Sequence, residues 1–355
     1  MTRRVIAGSA THAGLRWSSW ALLAAAVLGA PAVLPPLQLH LAWEMATWSV
    51  AVLGLNLAVG FAGQISLGHA AFVGVGAYTV VILAADHRWP LLATVPAAGA
   101  VAFVAGFAVG VPALRFRGLY LALLTLAVGT AFGPIVKRMR WLTNGTNGKG
   151  TTDRFTPPAW FGRTRQAERL WLYLVIVVVA AAVFALAANV VRGRLGRALV
   201  AMRSDELSAQ TFGVNVKLLK MTMFGVSAGV SGVAGALLML PSPFATDSRF
   251  SQAVSFQLYT AVFVGGIGTL SGCVVGGAII AVLPFVTTSL GITVEPALVY
   301  GAALVVVTLF FPDGLMGGWQ RLRRRLVDVV AGPPPAADDA DLFEPIEVVL
   351  DLPPR

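Results

Sequence analysis

Long apolar runs separated by short polar segments occupy most of this chain. The runs lie at about 18–36, 42–60, 68–85, 91–111, 118–136, 170–191, 221–240, 255–268, 273–291 and 296–312. A helix needs about 20 apolar residues to cross a bilayer, and backbone groups in lipid must be hydrogen-bonded within the segment. The pattern therefore predicts an all-α polytopic transmembrane protein with about ten apolar helices. The run at 255–268 is too short for a full span, so it is predicted to be a half-span or to merge with 273–291.

The composition supports a membrane protein. Hydrophobic residues make up 57% of the 355 residues and charged residues 12%, whereas a soluble domain carries roughly 25% charge. The net charge of +10 would suggest nucleic acid in a soluble protein. Here the cations lie between the apolar runs, where they orient a membrane protein, so no nucleic-acid partner is expected. The single cysteine, Cys273, allows no internal disulfide, and the scattered histidines predict no metal site.

The distribution of basic residues predicts the topology. With residues 1–17 as a cytoplasmic N-terminus, 16 of the 26 lysines and arginines fall on the inner side and 10 on the outer side. A cleaved signal peptide would resemble the first run, but a retained helix is favoured because further spans follow. The permease domain is predicted at 18–318, with an external loop at 137–169. Residues 319–355, basic and then acidic, are predicted to be a disordered cytoplasmic tail.

The second and third runs meet in a glycine-rich stretch that carries polar side chains. Glycines recur between 54 and 76, and they allow close helix contact or a break in a helix. Asn56, Gln64, Ser66 and His69 lie in the same stretch. Polar groups at membrane depth line a cavity or join helices. We expect these four residues to line the translocation path, and the alternative is that they only form hydrogen bonds between helices.

The segment 192–220 predicts a short helix across one face of the membrane. Ser204 is a candidate N-cap, Asp205 and Glu206 suit the first turn, and Gly213 can end the helix. The alternative is an interfacial helix held by anionic lipid headgroups, which would make membrane lipid its partner.

Several motifs in order resemble one family. They are the stretch 54–78, Leu114-Arg115-Phe116-Arg117-Gly118-Leu119-Tyr120, Leu142-Thr143-Asn144-Gly145-Thr146-Asn147-Gly148, Gly265-Gly266-Ile267-Gly268-Thr269-Leu270-Ser271-Gly272 and Phe311-Pro312-Asp313-Gly314-Leu315. Together they resemble the permeases of branched-chain amino-acid ABC importers. Asn144 stands where glycine is usual, and Asp313 where a basic residue is common. The segment 196–217 resembles the EAA loop of such permeases, with Ser208 where alanine is usual.

The resemblance implies a function and a set of partners. It implies an inner-membrane, multi-pass subunit that moves branched-chain amino acids by alternating access. The implied partners are a second, homologous permease, two cytoplasmic ABC ATPases and an extracytoplasmic substrate-binding protein. Docking on the ATPase would use Arg203, Asp205, Glu206, Ala209 and Gly213.

This chain is not expected to be an enzyme or to hold a cofactor, and ATP would be used by the partner ATPases. A P-loop requires Gly-x-x-x-x-Gly-Lys-Ser/Thr, and the run Gly145–Gly150 has a different spacing and ends in glycine. No catalytic constellation is present in the sequence.

Other classes of transport remain open. Permeases of the same family that import urea, short amides or small aromatic acids would have a similar sequence. A secondary carrier or channel would need inverted repeats with broken helices, and the glycine-rich runs near 54–76 and 265–277 could be such a pair. The 196–217 loop distinguishes these classes, because a carrier has no need of it.

Overall fold

The computed structural model describes residues 3–6, 35–116, 118–153, 155–162, 164–289, 291, 296–310, 314–318 and 327–330. The chain divides into two units, 27–320 and a smaller unit that joins 1–26 with 321–355. Each unit is described by itself. The first predicted run, at 18–36, lies almost entirely outside the described residues.

The larger unit is a helical bundle. Its helices are α1 (Pro36–Asn56), α2 (Ala70–His87), α3 (Leu91–Ala113), α4 (Leu119–Arg138), α5 (Arg140–Thr143), α6 (Arg165–Arg192), α7 (Arg194–Ser204), α8 (Glu206–Thr211), α9 (Val216–Met239), α10 (Gln252–Gly265), α11 (Leu270–Ser289) and α12 (Pro296–Phe310). Within the described ranges, seven helices are long and apolar enough to cross a membrane: α1 with its extension to Phe61, α2, α3, α4, α6, α9 and α11. The chain is therefore an all-α polytopic membrane protein. The predicted count of about ten helices stays a prediction.

Helix α9 packs at the centre of the bundle through small residues. A Cβ added at Gly235 would lie 1.9 Å from the carbonyl oxygen of Val73 in α2. One added at Gly232 would lie 2.3 Å from the Cβ of Ala102 in α3. Small residues at such crossings let helix backbones approach closely, which is how helices associate without a hydrophobic driving force in lipid.

The short run predicted at 255–268 forms α10, which has only 14 residues. A turn at 266–269 separates it from α11, so α10 does not merge with the next helix. Gly266 and Gly268 have φ values of 126° and 70° in this turn, which suit glycine because side chains disfavour them. Helix α12 has 15 residues, which is also below the length of a confident span.

The connecting segments meet in two groups at opposite ends of the spans. At one end, strand β2 (Lys149–Gly150) pairs antiparallel with β3 (Phe244–Ala245). Lys149 also bonds Asp86 at 2.5 Å, and Lys137 bonds Asp247 at 3.0 Å. We call this the β2–β3 end. At the α7–α8 end, residues 62–64 and 202–207 surround one cavity together with Ala113, Phe116 and Gly118.

The smaller unit contains a two-stranded parallel sheet of β1 (Arg3–Ile6) and β4 (Val327–Val330), in register from Arg3 with Val327 to Ile6 with Val330. Within the predicted tail 319–355, only residues 327–330 are described, and they form one strand of this sheet. The disorder predicted for the tail stays a prediction.

Candidate functional site

The short helix predicted from the sequence is present as α8, but its cap differs from the prediction. Ser204 is the last residue of α7, and Asp205 is the N-cap of α8. The Asp205 carboxylate accepts hydrogen bonds from the Ser208 hydroxyl at 2.6 Å and from the Leu207 N–H at 2.9 Å. These bonds lower the pKa of Asp205 below its ordinary value. Aspartate is the better cap here because both its carboxylate oxygens accept.

Gly213 ends α8 as predicted. Its φ is 80°, and its N–H donates to the carbonyl of Gln210 at 3.0 Å. The Val214 N–H donates to the carbonyl of Ala209 at 3.1 Å. This pair of bonds is a Schellman motif, which satisfies carbonyls that the helix end would leave free.

One face of α8 is anchored and the other is exposed. Ala209 is 2% exposed, and Glu206 forms an ion pair with Lys220 at the start of α9. In contrast, Leu207 is 68% exposed and Phe212 is 86% exposed. Large apolar side chains on a segment between spans mark a contact surface when they lie together.

Helix α1 is irregular where it approaches α7. Residues Leu57–Phe61 form a π-helical turn, a form that is rare and frequent at functional sites. The Arg203 Nη1 donates to the carbonyl oxygen of Gly60 at 2.6 Å. The segment that ends in α8 is therefore bonded directly to the irregular end of α1.

Residues 62–69 run inside the bundle without regular secondary structure, and other helices satisfy their backbone. The Leu67 N–H donates to the Thr125 hydroxyl at 3.0 Å, and Gln252 Nε2 donates to the Leu67 carbonyl at 2.5 Å. The Ala70 N–H donates to the Ser255 hydroxyl at 3.0 Å. Irregular backbone at membrane depth is tolerated only where protein or a cavity surrounds it, and here three side chains meet that requirement.

His69 joins α9 to the start of α2. The Ser227 hydroxyl donates to the Gly54 carbonyl at 2.6 Å and lies 3.2 Å from His69 Nε2. Because its one proton is used, the Ser227 oxygen accepts from Nε2–H. His69 Nδ1 then has a free lone pair, which accepts from Ser66, 3.2 Å away. Ser66, His69, Ser227 and the Gly54 carbonyl therefore form one chain of hydrogen bonds, in which each group donates to the next.

Asn56 joins α1 to the turn between α10 and α11. Its Oδ1 accepts from the Gly268 N–H at 2.9 Å, and its Nδ2 donates to the Thr269 carbonyl at 3.0 Å. Nδ2 also lies 3.0 Å from the Cys273 sulfur. A Cβ on Gly60 would come within 2.5 Å of the Gly268 nitrogen. The two irregular backbone segments are therefore in direct contact.

The predicted path residues separate into two groups. Asn56, Ser66 and His69 are 1%, 0% and 0% exposed, so in this conformation they do not line an open cavity, and their role in the translocation path stays a prediction. Their hydrogen bonds join helices instead. Gln64 differs, because it borders the cavity of about 380 Å³ at the α7–α8 end.

The residues of other helices that bond positions 64–70 were not identified from the sequence. They are Thr125, Lys220, Ser227, Gln252 and Ser255. A polar side chain within an apolar run was the available signal, but it does not reveal which distant backbone group the side chain meets.

The bundle of long apolar helices around a broken, internally bonded segment defines a multi-pass α-helical membrane protein. A family model described as the permease component of branched-chain amino acid transport systems matches residues 38–311. The chain belongs to this family.

Curated relatives agree with this assignment. The branched-chain amino acid permease protein LivM of Escherichia coli is 30% identical over 288 residues, which are 74% of this chain and 66% of the relative. LivH of Salmonella typhimurium is 24% identical over 294 residues, covering 76% of this chain and 91% of the relative. BraD of Pseudomonas aeruginosa is 23% identical, covering 76% and 92%. The chain thus spans slightly less than two thirds of LivM. No solved structure matches it.

Proposed function

We propose that this chain is the membrane-spanning permease subunit of an ATP-binding-cassette importer for branched-chain amino acids. The observation that carries the proposal is α8, a capped helix between two spans that presents Leu207 and Phe212 to the outside of the bundle. An ATPase with an apolar groove would cover this face. The names of the relatives supply the class of solute.

The proposed assembly contains a second permease, two ATPases and an extracytoplasmic binding protein. Relatives of the LivM and LivH types both match this chain, which supports pairing with a similar permease. The chain would then lie in the inner membrane, and its α7–α8 end would face the cytoplasm. The β2–β3 end, with its basic loop at 137–169, would face the binding protein.

Two bonded connections would carry movement of α8 to the broken helix. The first runs from Arg203 to the Gly60 carbonyl. The second runs from Glu206 to Lys220, whose own carbonyl accepts from Gln64 at 3.2 Å. When the ATPases close on ATP, α8 would shift, and these connections would shift the irregular end of α1 with it. That motion would change which end of the path is open.

The exposed aromatic side chain of α8 provides the test. In cells that express the complete importer, Phe212→Ser should reduce uptake of radiolabelled leucine at least tenfold and reduce recovery of the ATPase with the tagged chain. Phe212 is exposed, so insertion should be normal. Gln210→Ser, on the same exposed helix, is the matched control and should transport normally. Unchanged uptake and unchanged ATPase recovery in Phe212→Ser would refute the docking role. Competition by urea, short amides and aromatic acids in the same assay identifies the solute.

A further inference from the structure

A cavity of about 380 Å³ lies at the α7–α8 end of the bundle. Its walls are the irregular segment after α1, the junction of α7 with α8, and the α3–α4 turn. Sites for small molecules commonly enclose about 300–1,000 Å³, so the volume is sufficient for one free amino acid.

Among the described residues that line the cavity, the charges sum to zero. The cations are Arg203 and Lys220, and the anions are Asp205 and Glu206. Lys220 is paired with Glu206, and Asp205 is occupied as the cap of α8. A guanidinium has five N–H donors, whereas the structure gives Arg203 a single bond, to the Gly60 carbonyl. Its remaining donors suit a carboxylate, which guanidinium groups bind in a fork-like geometry.

The second available group is a buried amide oxygen. Gln64 is 5% exposed, and its Nε2 donates to the Lys220 carbonyl. Its Oε1 is buried and has no hydrogen-bond partner among the residues that the structure describes. A buried acceptor without a partner destabilises the folded state. An ammonium group carries three donors and no acceptor, and it would satisfy this oxygen once the Gln64 side chain turns toward the cavity.

Most of the remaining wall is apolar, with Ala113, Phe116, Leu121 and Met202, and Ser204 adds a hydroxyl that donates to the Val200 carbonyl. The cavity therefore offers a cation, an acceptor and an apolar surface, which match the carboxylate, the ammonium group and the side chain of an apolar amino acid. We propose that this cavity binds a free branched-chain amino acid at the α7–α8 end, through Arg203 and Gln64.

The proposal rests on the proposed function for the choice of solute. It adds a site at the exit side of the importer, beside the helix that docks on the ATPase. A bound amino acid would join Arg203 to Gln64 and so hold α7 against the irregular segment. Accumulated product would then slow further import.

The test uses the full-length chain in lipid nanodiscs and saturation-transfer NMR with three probes. Leucine carries both charged groups, 4-methylpentanoate lacks the ammonium group, and isopentylamine lacks the carboxylate. Leucine should bind saturably, and each of the other probes should bind at least tenfold more weakly. Arg203→Met should weaken leucine at least tenfold and leave isopentylamine unchanged. Gln64→Leu should weaken leucine similarly and leave 4-methylpentanoate unchanged.

Arg197→Met, an exposed arginine on the same helix as Arg203, is the control and should bind all three probes like the parent chain. If a variant does not fold, the comparison of the three probes on the parent chain still tests whether the proposed site exists. Equal binding of the three probes, or no saturable leucine binding, would overturn the site. If leucine uptake by the importer still requires this chain, the proposed function stands and only the proposed binding site is refuted. If uptake does not require it, the proposed function fails as well.

Discussion

Ser227 donates to the Gly54 carbonyl and accepts from His69, and both bonds lie in fully buried surroundings. At the scale of single residues, such small polar groups determine where the irregular segment sits. Asn56, Thr125 and Ser255 act in the same way. The sequence predicts that buried polar groups matter here, but their roles follow from partners about 60–210 residues away, which no local pattern shows.

Replacing Ser227 tests the role of the His69 chain of bonds. Ser227→Ala removes the acceptor of His69 Nε2–H, and a buried donor without a partner costs about 1–3 kcal/mol. The thermal unfolding midpoint in detergent should fall. Ser289→Ala is the control, since among the described residues that exposed hydroxyl bonds a carbonyl of its own helix, and its midpoint should not change. Equal midpoints for both variants would contradict the assignment.

Gln64 and His69 should respond differently to replacement by leucine. Gln64→Leu removes the bond to the Lys220 carbonyl together with a buried oxygen that has no partner among the described residues. These two effects oppose each other, and the change alters the cavity wall, so we expect lost uptake with normal assembly and thermal stability. His69→Leu removes the imidazole that bonds Ser66 and Ser227. The thermal unfolding midpoint should therefore fall, and the loss of folded protein should prevent measurement of transport. Uptake assays combined with unfolding curves separate the two outcomes. A loss of stability in Gln64→Leu would show that Gln64 is structural and not part of the path.

At the scale of elements, α8 and its termination are predicted well because the signals are local. Gly213 ends the helix as expected. The cap was assigned one residue early because Ser204 and Asp205 are both good caps, and α7 extends through Ser204. The sequence does not predict that the irregular segment 62–69 lies inside the bundle, because hydropathy does not distinguish a loop at the surface from a buried one.

The conformation of Gly213 gives a matched pair of variants. There is open space around its Cα, so strain comes only from the positive φ of 80°. A residue with a side chain costs about 1–2 kcal/mol there, while asparagine tolerates this region. Gly213→Val should loosen α8 and reduce uptake relative to ATP hydrolysis, whereas Gly213→Asn should keep most of the coupling. Hydrogen exchange of the α8 amides measures how far Gly213→Val loosens the helix. Equal coupling in the two variants would count against a role for the helix end.

At the scale of the whole molecule, the long apolar runs between 42 and 291 predict the spans closely. For example, the run at 91–111 corresponds to Leu91–Ala113. The lengths follow from the bilayer, so they are readable from one sequence. The arrangement of the spans around α9 depends on contacts between distant glycines, such as Gly76 with Gly232, and single-sequence patterns do not give these pairs.

The proposed orientation can be tested with cysteines at opposite ends. Asn147 lies at the β2–β3 end and Gln210 lies in α8, and both are exposed. In intact cells, a membrane-impermeant thiol reagent should label Asn147→Cys and leave Gln210→Cys unlabelled until the membrane is opened. The parent chain is the blank, since Cys273 is buried. The reverse labelling pattern would invert the topology.

The internal segment 62–69 also constrains how the chain matures. His69 contacts Ser227, 158 positions later, and Leu67 and Ala70 contact residues 185 positions later. During synthesis, α1 and α2 therefore enter the membrane long before the side chains that satisfy the connection between them. Until α10 leaves the ribosome, that connection must remain hydrated near the bilayer surface or be shielded by an insertion factor. A nascent chain that stalls before residue 252 would thus carry an exposed region that quality-control proteases can recognise.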